Sequence, residues 1–293
     1  MRMALICGLA AVALGLAAAG EYAAAEPAHA ATTAASKKQA FAYGGDKLQA
    51  LDYWAGSSRD APLVVFVHGG GWKRGDKQMM DDSAKLSDWQ GKGYAVASVN
   101  YRLVPQNTVE DEAADVAHAV AYLKNHAQTL GFDPSRIVLI GHSAGAHLVA
   151  LVGTDPGWFR AAGLRLGDVR GVVTLDGAAY DVPRQIASGN RMMHDTYLQA
   201  FGTDPARQEK LSPMFHAAAP NAPSFLVLHV QRPDGTAQSE ALAAALKKAG
   251  TPVQIQGFEG RGLRGHMEIN RDLGKPDYPA TPVLDAWLKR VFG

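Results

Sequence analysis

Cysteine is almost missing from this chain: Cys7 is the single one in 293 residues. It lies early in an N-terminal stretch with the three parts of an export signal, a positive start ("MRM"), an apolar stretch ("ALICGLAAVALGLAAAG") and A-x-A patterns ending at Ala25 or Ala30. That apolar stretch is rich in Ala and Gly and short for a membrane span, so residues 1–30 read as a removable signal. A lipid-attachment cysteine would follow the apolar run, and Cys7 precedes most of it. The mature chain would carry no thiol. Disulfides, thiol nucleophiles and cysteine-bound metals are thereby excluded from it.

Charge of one sign is also lacking. The 29 Lys and Arg residues face 28 Asp and Glu, for a net +1, with no basic block. Nucleic acid and anionic membrane surfaces are poor partners for such a chain. Neither the phosphate-cradling G-x-x-x-x-G-K-[ST] loop nor the dinucleotide fingerprint G-x-G-x-x-G occurs, and no H-E-x-x-H is present. Nothing in the sequence asks for a cofactor or a metal.

What the chain does have is alternation. After "ATTAASKKQ", read with its surroundings as a disordered leader over 31–40, the stretch "AYGGDKLQALDYWAG" looks like an antiparallel pair of edge strands. Short apolar strands then alternate with helices: "PLVVFV", "YAVASV", "RIVLIG", "RGVVTL", "FLVLHV" and "PVQIQGF". Residues 109–130 repeat apolar side chains every three or four positions, with Thr108 placed to cap and acids in the first turn. The alternation predicts an α/β fold, a mostly parallel sheet with helices on both faces, within one domain over 41–293. Residues 182–220 carry no strand and read as an insertion over the active-site end of the sheet.

Two stretches carry chemistry. Gly141-His142-Ser143-Ala144-Gly145 matches the G-x-S-x-G nucleophile elbow, with a strand entering and a helix leaving. A serine needs a base, and the base an orienting acid, in the order serine, acid, histidine for this fold. His266 is the one histidine beyond Asp234, placed by the pattern in a glycine-rich loop after the last strand. Asp234, the next acid after "FLVLHV", is the expected triad acid, with Asp181 in reserve. The second stretch, "LVVFVHGGGWKRGDK", ends a strand in three glycines. It matches the oxyanion loop of lipases and esterases, with the amides of Gly70, Gly71 and Ala144 as donors. His68 and Trp72 would brace that loop. His118 and His126 are expected to face solvent, and Met192 and Met193 to pack or to touch an acyl chain.

With "HGGGW", "VNYRLVP" at 99–105, "GHSAGAH" and "AQSEALAAALKKAG" together, the chain resembles the α/β-hydrolase esterases with an H-G-G-G-[FW] loop. These include the hormone-sensitive-lipase-like carboxylesterases and the feruloyl-esterase-like bacterial hydrolases. The resemblance covers about residues 40–293 and implies cofactor-free, serine-dependent hydrolysis of small-molecule esters, here outside the cytoplasm. It departs at the acid: members usually show H-G-x-x-D-x-x-V-P, and "HVQRPDGTAQS" is shortened, so Asp234 is assigned by position. "HGGGW" also resembles the loop of kynurenine formamidases, which apply the same triad to an amide. A non-catalytic binding protein of the same fold is the reading from another class.

Overall fold

The computed structural model describes residues 36–188 and 191–293. The export-signal reading, Cys7 included, lies outside the described residues, as does the side chain of Met192. The first strand, β1 (Gln39–Ala42), begins just before the expected end of the leader and pairs antiparallel with β2 (Ala50–Trp54). This is the edge pair expected from the sequence.

From there strands and helices alternate. β3 (Leu63–Val67) leads through the glycine loop to α1 (Ala84–Gly91) and β4 (Ala95–Val99). α2 (Val109–Asn125) and the short α3 (Ala127–Leu130) precede β5 (Ile137–His142), α4 (Ala144–Thr154) and α5 (Pro156–Ala161). After β6 (Gly171–Leu175) come four helices without a strand, α6 (Val182–Ser188), α7 (Arg191–Phe201), α8 (Pro205–Lys210) and α9 (Pro213–His216). The chain closes with β7 (Phe225–Gln231), α10 (Pro233–Lys248), β8 (Val253–Arg261), α11 (Gly262–Asp272) and α12 (Ala280–Phe292).

The sheet has eight strands in the order β1-β2-β4-β3-β5-β6-β7-β8. β2 meets β4 antiparallel, and every later pairing is parallel. Parallel strands are buried on both faces, which is why "LVVFV" and "IVLIGH" are continuous runs rather than alternating ones. Successive side chains still part to opposite faces. Leu63, Val65 and Val67 join a core with α2 and α4, whereas Val64 and Phe66 pack with Trp89 of α1 and Trp287 of α12.

α2 starts where the sequence places it. Thr108 accepts from the Asp111 amide at 3.2 Å and Asp111 reaches back to the Thr108 amide at 2.9 Å, a reciprocal cap. The expected single helix over 109–130 breaks at His126, whose ring nitrogen Nδ1 lies 2.8 Å from the Tyr122 carbonyl. His118 and His126 are exposed, as expected.

Candidate active site

All parallel strands point their carboxyl ends the same way, and open α/β sheets gather their reactive groups at that edge. β5 delivers Ser143. Its backbone sits at φ 57° and ψ −118°, a conformation costly for a residue with a Cβ and held only by its surroundings. The flanking glycines make it possible. A Cβ on Gly141 would lie 2.2 Å from the Gly145 carbonyl oxygen, and one on Gly145 would lie 2.2 Å from the Val67 carbonyl oxygen. The turn therefore closes only with hydrogen at both positions.

His266 meets this serine. Its Nε2 lies 3.0 Å from Ser143 Oγ, within hydrogen-bond reach. The residue belongs to the first turns of α11 rather than to the glycine-rich loop that the pattern implied, because β8 runs on to Arg261 and the helix starts at once.

The carboxylate behind His266 is not the expected one. His266 Nδ1 lies 2.6 Å from Oδ2 of Asp176, the residue that directly follows β6. Asp234 lies in the first turn of α10, where Oδ2 accepts from Gln185 Nε2 at 3.2 Å. Asp181, the reserve, accepts from the Arg184 amide at 3.1 Å as α6 begins. The physical reason is chain geometry. Three residues past the end of β7 the chain has turned into a helix, and the carboxylate is carried off toward α6.

Asp176 is fully buried and both of its carboxylate oxygens are hydrogen-bonded. Oδ1 accepts from the Val230 amide at 3.0 Å, and Oδ2 is shared between His266 and Arg232 Nε at 2.7 Å. Burial alone would push this carboxyl up. The His266 hydrogen bond and the charge of Arg232 outweigh it and hold the group below the usual carboxylate range. An ionised acceptor fixes the proton of His266 on Nδ1 and leaves Nε2 to accept from the serine hydroxyl.

His142, the residue before the nucleophile, touches the same histidine. The two rings lie 4.6 Å apart, and His142 donates from Nε2 to the His266 carbonyl at 3.0 Å. Burial drives its ring down to about 3, so it is neutral and brings no second positive charge.

The glycine loop lies against the elbow. A Cβ on Gly69 would approach Ser143 Cβ to 2.9 Å, while Gly70 and Gly71 have φ of 136° and 62°. Among the described residues, neither the Gly70 nor the Gly71 amide is donated to a backbone carbonyl. Ala144 is the first residue of α4, whose leading amides have no partner within the helix. The amides of Gly70, Gly71 and Ala144, the expected oxyanion donors, thus belong to two adjoining turns. His68 and Trp72 brace the loop as expected: His68 stacks on Tyr101 at 4.4 Å, and the Trp72 indole donates to His147 Nδ1 at 3.3 Å. His147 donates in turn to the Leu211 carbonyl at 2.8 Å, tying the loop through α4 to the inserted helices. Above, α7 covers the loop: Thr196 Cγ2 would lie 3.1 Å, and Met193 Cε 3.9 Å, from a Cβ at Gly71. Among the described residues no group of His, Cys, Asp and Glu could hold a metal ion.

Comparison with known proteins adds the family. The BD-FAE family model matches residues 52–246, which spans the elbow, the glycine loop, Asp176 and Arg232. The chain belongs to the BD-FAE family. Esterase LipQ of Mycobacterium tuberculosis is 29% identical over 229 residues, covering 70% of this chain and 51% of LipQ. The isoprenylcysteine alpha-carbonyl methylesterase ICME of Arabidopsis thaliana is 35% identical over 115 residues, 39% of this chain and 26% of that one. The matches thus span from about a quarter to about half the length of these curated relatives. Esterase B of Lactobacillus rhamnosis superposes with a TM-score of 0.72 at 21% identity, covering 87% of this chain and 84% of that one. That likeness establishes the fold, an α/β-hydrolase, as this BD-FAE member's strand order and elbow already indicated.

Proposed function

We propose that this protein is a serine hydrolase that cleaves small-molecule carboxylic esters through an acyl-enzyme, with Ser143, His266 and Asp176 as its triad. One observation carries the reading: a continuous line from Ser143 Oγ to His266 Nε2 at 3.0 Å, and from His266 Nδ1 to Asp176 Oδ2 at 2.6 Å. The esterase names of the relatives support it.

The chemistry follows from that line. Ser143 Oγ attacks the ester carbonyl as His266 Nε2 takes its proton, and the carbonyl π electrons move onto oxygen. Asp176 stabilises the imidazolium and does not itself take the proton. The amides of Gly70, Gly71 and Ala144 receive the oxyanion, which is why the loop must be bare of side chains. Collapse breaks the C–O bond, and His266 protonates the departing alcohol. Water then repeats the sequence on the acyl-serine, releasing the acid and restoring Ser143.

Steady-state hydrolysis of p-nitrophenyl esters across a chain-length series tests the reading. Ser143→Ala should lower kcat on the order of 10⁴- to 10⁶-fold with folding intact. An organophosphate should label the wild type once, at Ser143. Labelling elsewhere, or a variant that keeps tenths of the activity, rules the mechanism out. N-formylkynurenine as substrate tests the amide-cleaving alternative, and inertness toward every ester and amide would leave a binding protein.

Export belongs to the same proposal and rests on the pattern of residues 1–30. N-terminal sequencing of protein recovered outside the cytoplasm should find a start after Ala25 or Ala30. An unprocessed chain retained in the cytoplasm overturns it. Among the described residues no helix is long and apolar enough to cross a membrane.

A further inference from the structure

Arg232 sits one residue past β7, where the sequence pattern suggests an acid, and its side chain is only 15% exposed. Nε donates to Asp176 Oδ2 at 2.7 Å, and Nη2 donates to the carbonyls of Asp176 and Gly177 at 3.1 and 3.3 Å. Three bonds from one planar group thus span the side chain and backbone of the turn that carries Asp176, a turn with Asp176 itself at φ 45°. The neighbouring helix makes room for it. A Cβ on Gly235 would lie 2.6 Å from Arg232 Nη2. On the outer side, Asp234 Oδ1 lies 4.0 Å from Nη1, and its other oxygen is bonded to Gln185 of α6.

We propose that Arg232 is a positioning residue for the triad: it orients Asp176 and, through its charge, tempers how strongly Asp176 draws a proton onto His266. The proposal rests on the triad reading above. Asp176 Oδ2 serves two positively polarised partners at once, so the carboxylate that faces His266 is already partly compensated. Removing the guanidinium returns the whole negative charge to His266, and a nearby opposite charge favours the protonated ring. Asp234 acts in the opposite sense, as the outer counter-ion of Arg232.

Four ionisable groups near His266 hold one charge state across the acid limb of the pH profile, while His229 of β7 and Glu259 and Arg261 of β8 stand on the strands packed against α11. His142, from β5, is held down at about 3 by burial, and Asp272, on α11, at about 2 by its hydrogen bond from Arg271. Lys85 of α1, buried and bonded to the Asn270 carbonyl, is pushed down only to about 8. Tyr278, before α12, is pushed up by burial to about 12. The remaining neighbours on α11 itself, Arg264, Glu268 and Arg271, are paired with one another or with Asp272 at the surface.

The test is kcat/KM for p-nitrophenyl butyrate against pH in wild type, Arg232→Met, Arg232→Lys and Asp234→Asn. Arg232→Met should move the acid limb up by about one pH unit and lower kcat about tenfold or more. Arg232→Lys keeps the charge without the planar fork, so it should bring the limb back while kcat stays low. Asp234→Asn should move the limb down by a few tenths of a unit. A merely structural arginine would lower activity with the limb unmoved in all three variants, and that result overturns the proposal. If Arg232→Met does not fold, Asp234→Asn decides: a limb that moves down supports the proposal and an unmoved limb overturns it. An NMR titration of ¹³C-labelled histidine reads the protonation of His266 without substrate. It separates a failure of this inference from a failure of the esterase reading.

Discussion

The carboxyl ends of β6 and β7 lie side by side in the sheet, and each is followed within three residues by an aspartate. Only one of those carboxylates reaches the histidine. Asp176 follows its strand at once, before the chain can turn away, and the neighbouring strand offers it the Val230 amide. Asp234 comes after Arg232 and Pro233, already inside α10. A proline near a helix start suits the turn, and an acid in the first turn suits the helix dipole, so Asp234 has a local reason to be there. An acid after a strand is therefore a coarse marker. Its distance from the strand end, counted in residues, decides whether it stays on the sheet edge or leaves with the next element.

The largest effect that would break this comparison is at Asp176. Asp176→Asn presents an amide to His266 Nδ1 and favours the wrong tautomer, so kcat should fall about 10⁴-fold, as for other triad aspartates. His266→Ala should cost a similar amount. The double variant should cost little more than either alone, because the two groups act as one unit. A second readout is stability against acid. The folded state holds the Asp176 carboxyl below its ordinary 3.8, so its contribution is present above that value and is lost as pH falls through the folded one. The stability gap between wild type and Asp176→Asn, measured by urea unfolding, should narrow below about pH 4. Full activity in Asp176→Asn would return the acid to another residue.

Much of this site is legible in the sequence, and the illegible part has a definite physical origin. Ser143 is marked by strand, turn and helix together, and the bare loop by three glycines after a strand. His266 is marked by being the one histidine late enough in the chain. The acid is not marked in the same way: 176, 181 and 234 all follow a strand and precede His266, and the order rule accepts each. What separates them is side-chain direction across two neighbouring strands, which depends on register and on where each helix begins. Asp176 stands in the same "DGAAYD" string as Asp181, at the strand end itself, and a rule weighting proximity to the strand would have found it. Arg232 gives no such signal, since a charged residue past a strand usually reads as solvated. The fold, by contrast, is written in periodicity, which neighbouring strands do not alter.

A smaller effect sharpens the same comparison. Asp234→Asn should lower kcat less than tenfold near neutral pH, because the carboxylate touches Gln185 and the outer edge of Arg232 rather than the base. Steady-state kinetics on the same ester check it. A loss that approaches that of Asp176→Asn would mean that the two strand ends share the role, and the contrast drawn between them would fail.

The smallest effect concerns the glycine that separates the two ends. Gly235 lies buried in the first turn of α10, with Arg232 Nη2 2.6 Å from where its Cβ would be. Alanine favours a helix over glycine by about 1 kcal/mol, so the helix itself gains from Gly235→Ala. The guanidinium must then give way, and it is not a free side-chain end, because the same Nη2 holds two carbonyls of the Asp176 turn. The two effects act on different quantities. Thermal stability should stay within about 1 kcal/mol of wild type, since the helical gain offsets the strained contact. Activity should fall by about twofold to threefold, as a carboxylate displaced by a few tenths of an ångström orients the base less well. Melting by circular dichroism and kcat on one ester, measured on the same preparation, read both. A variant that gains stability with kcat unchanged would show that Arg232 can shift without moving Asp176, and the space left by Gly235 would then serve only helix packing.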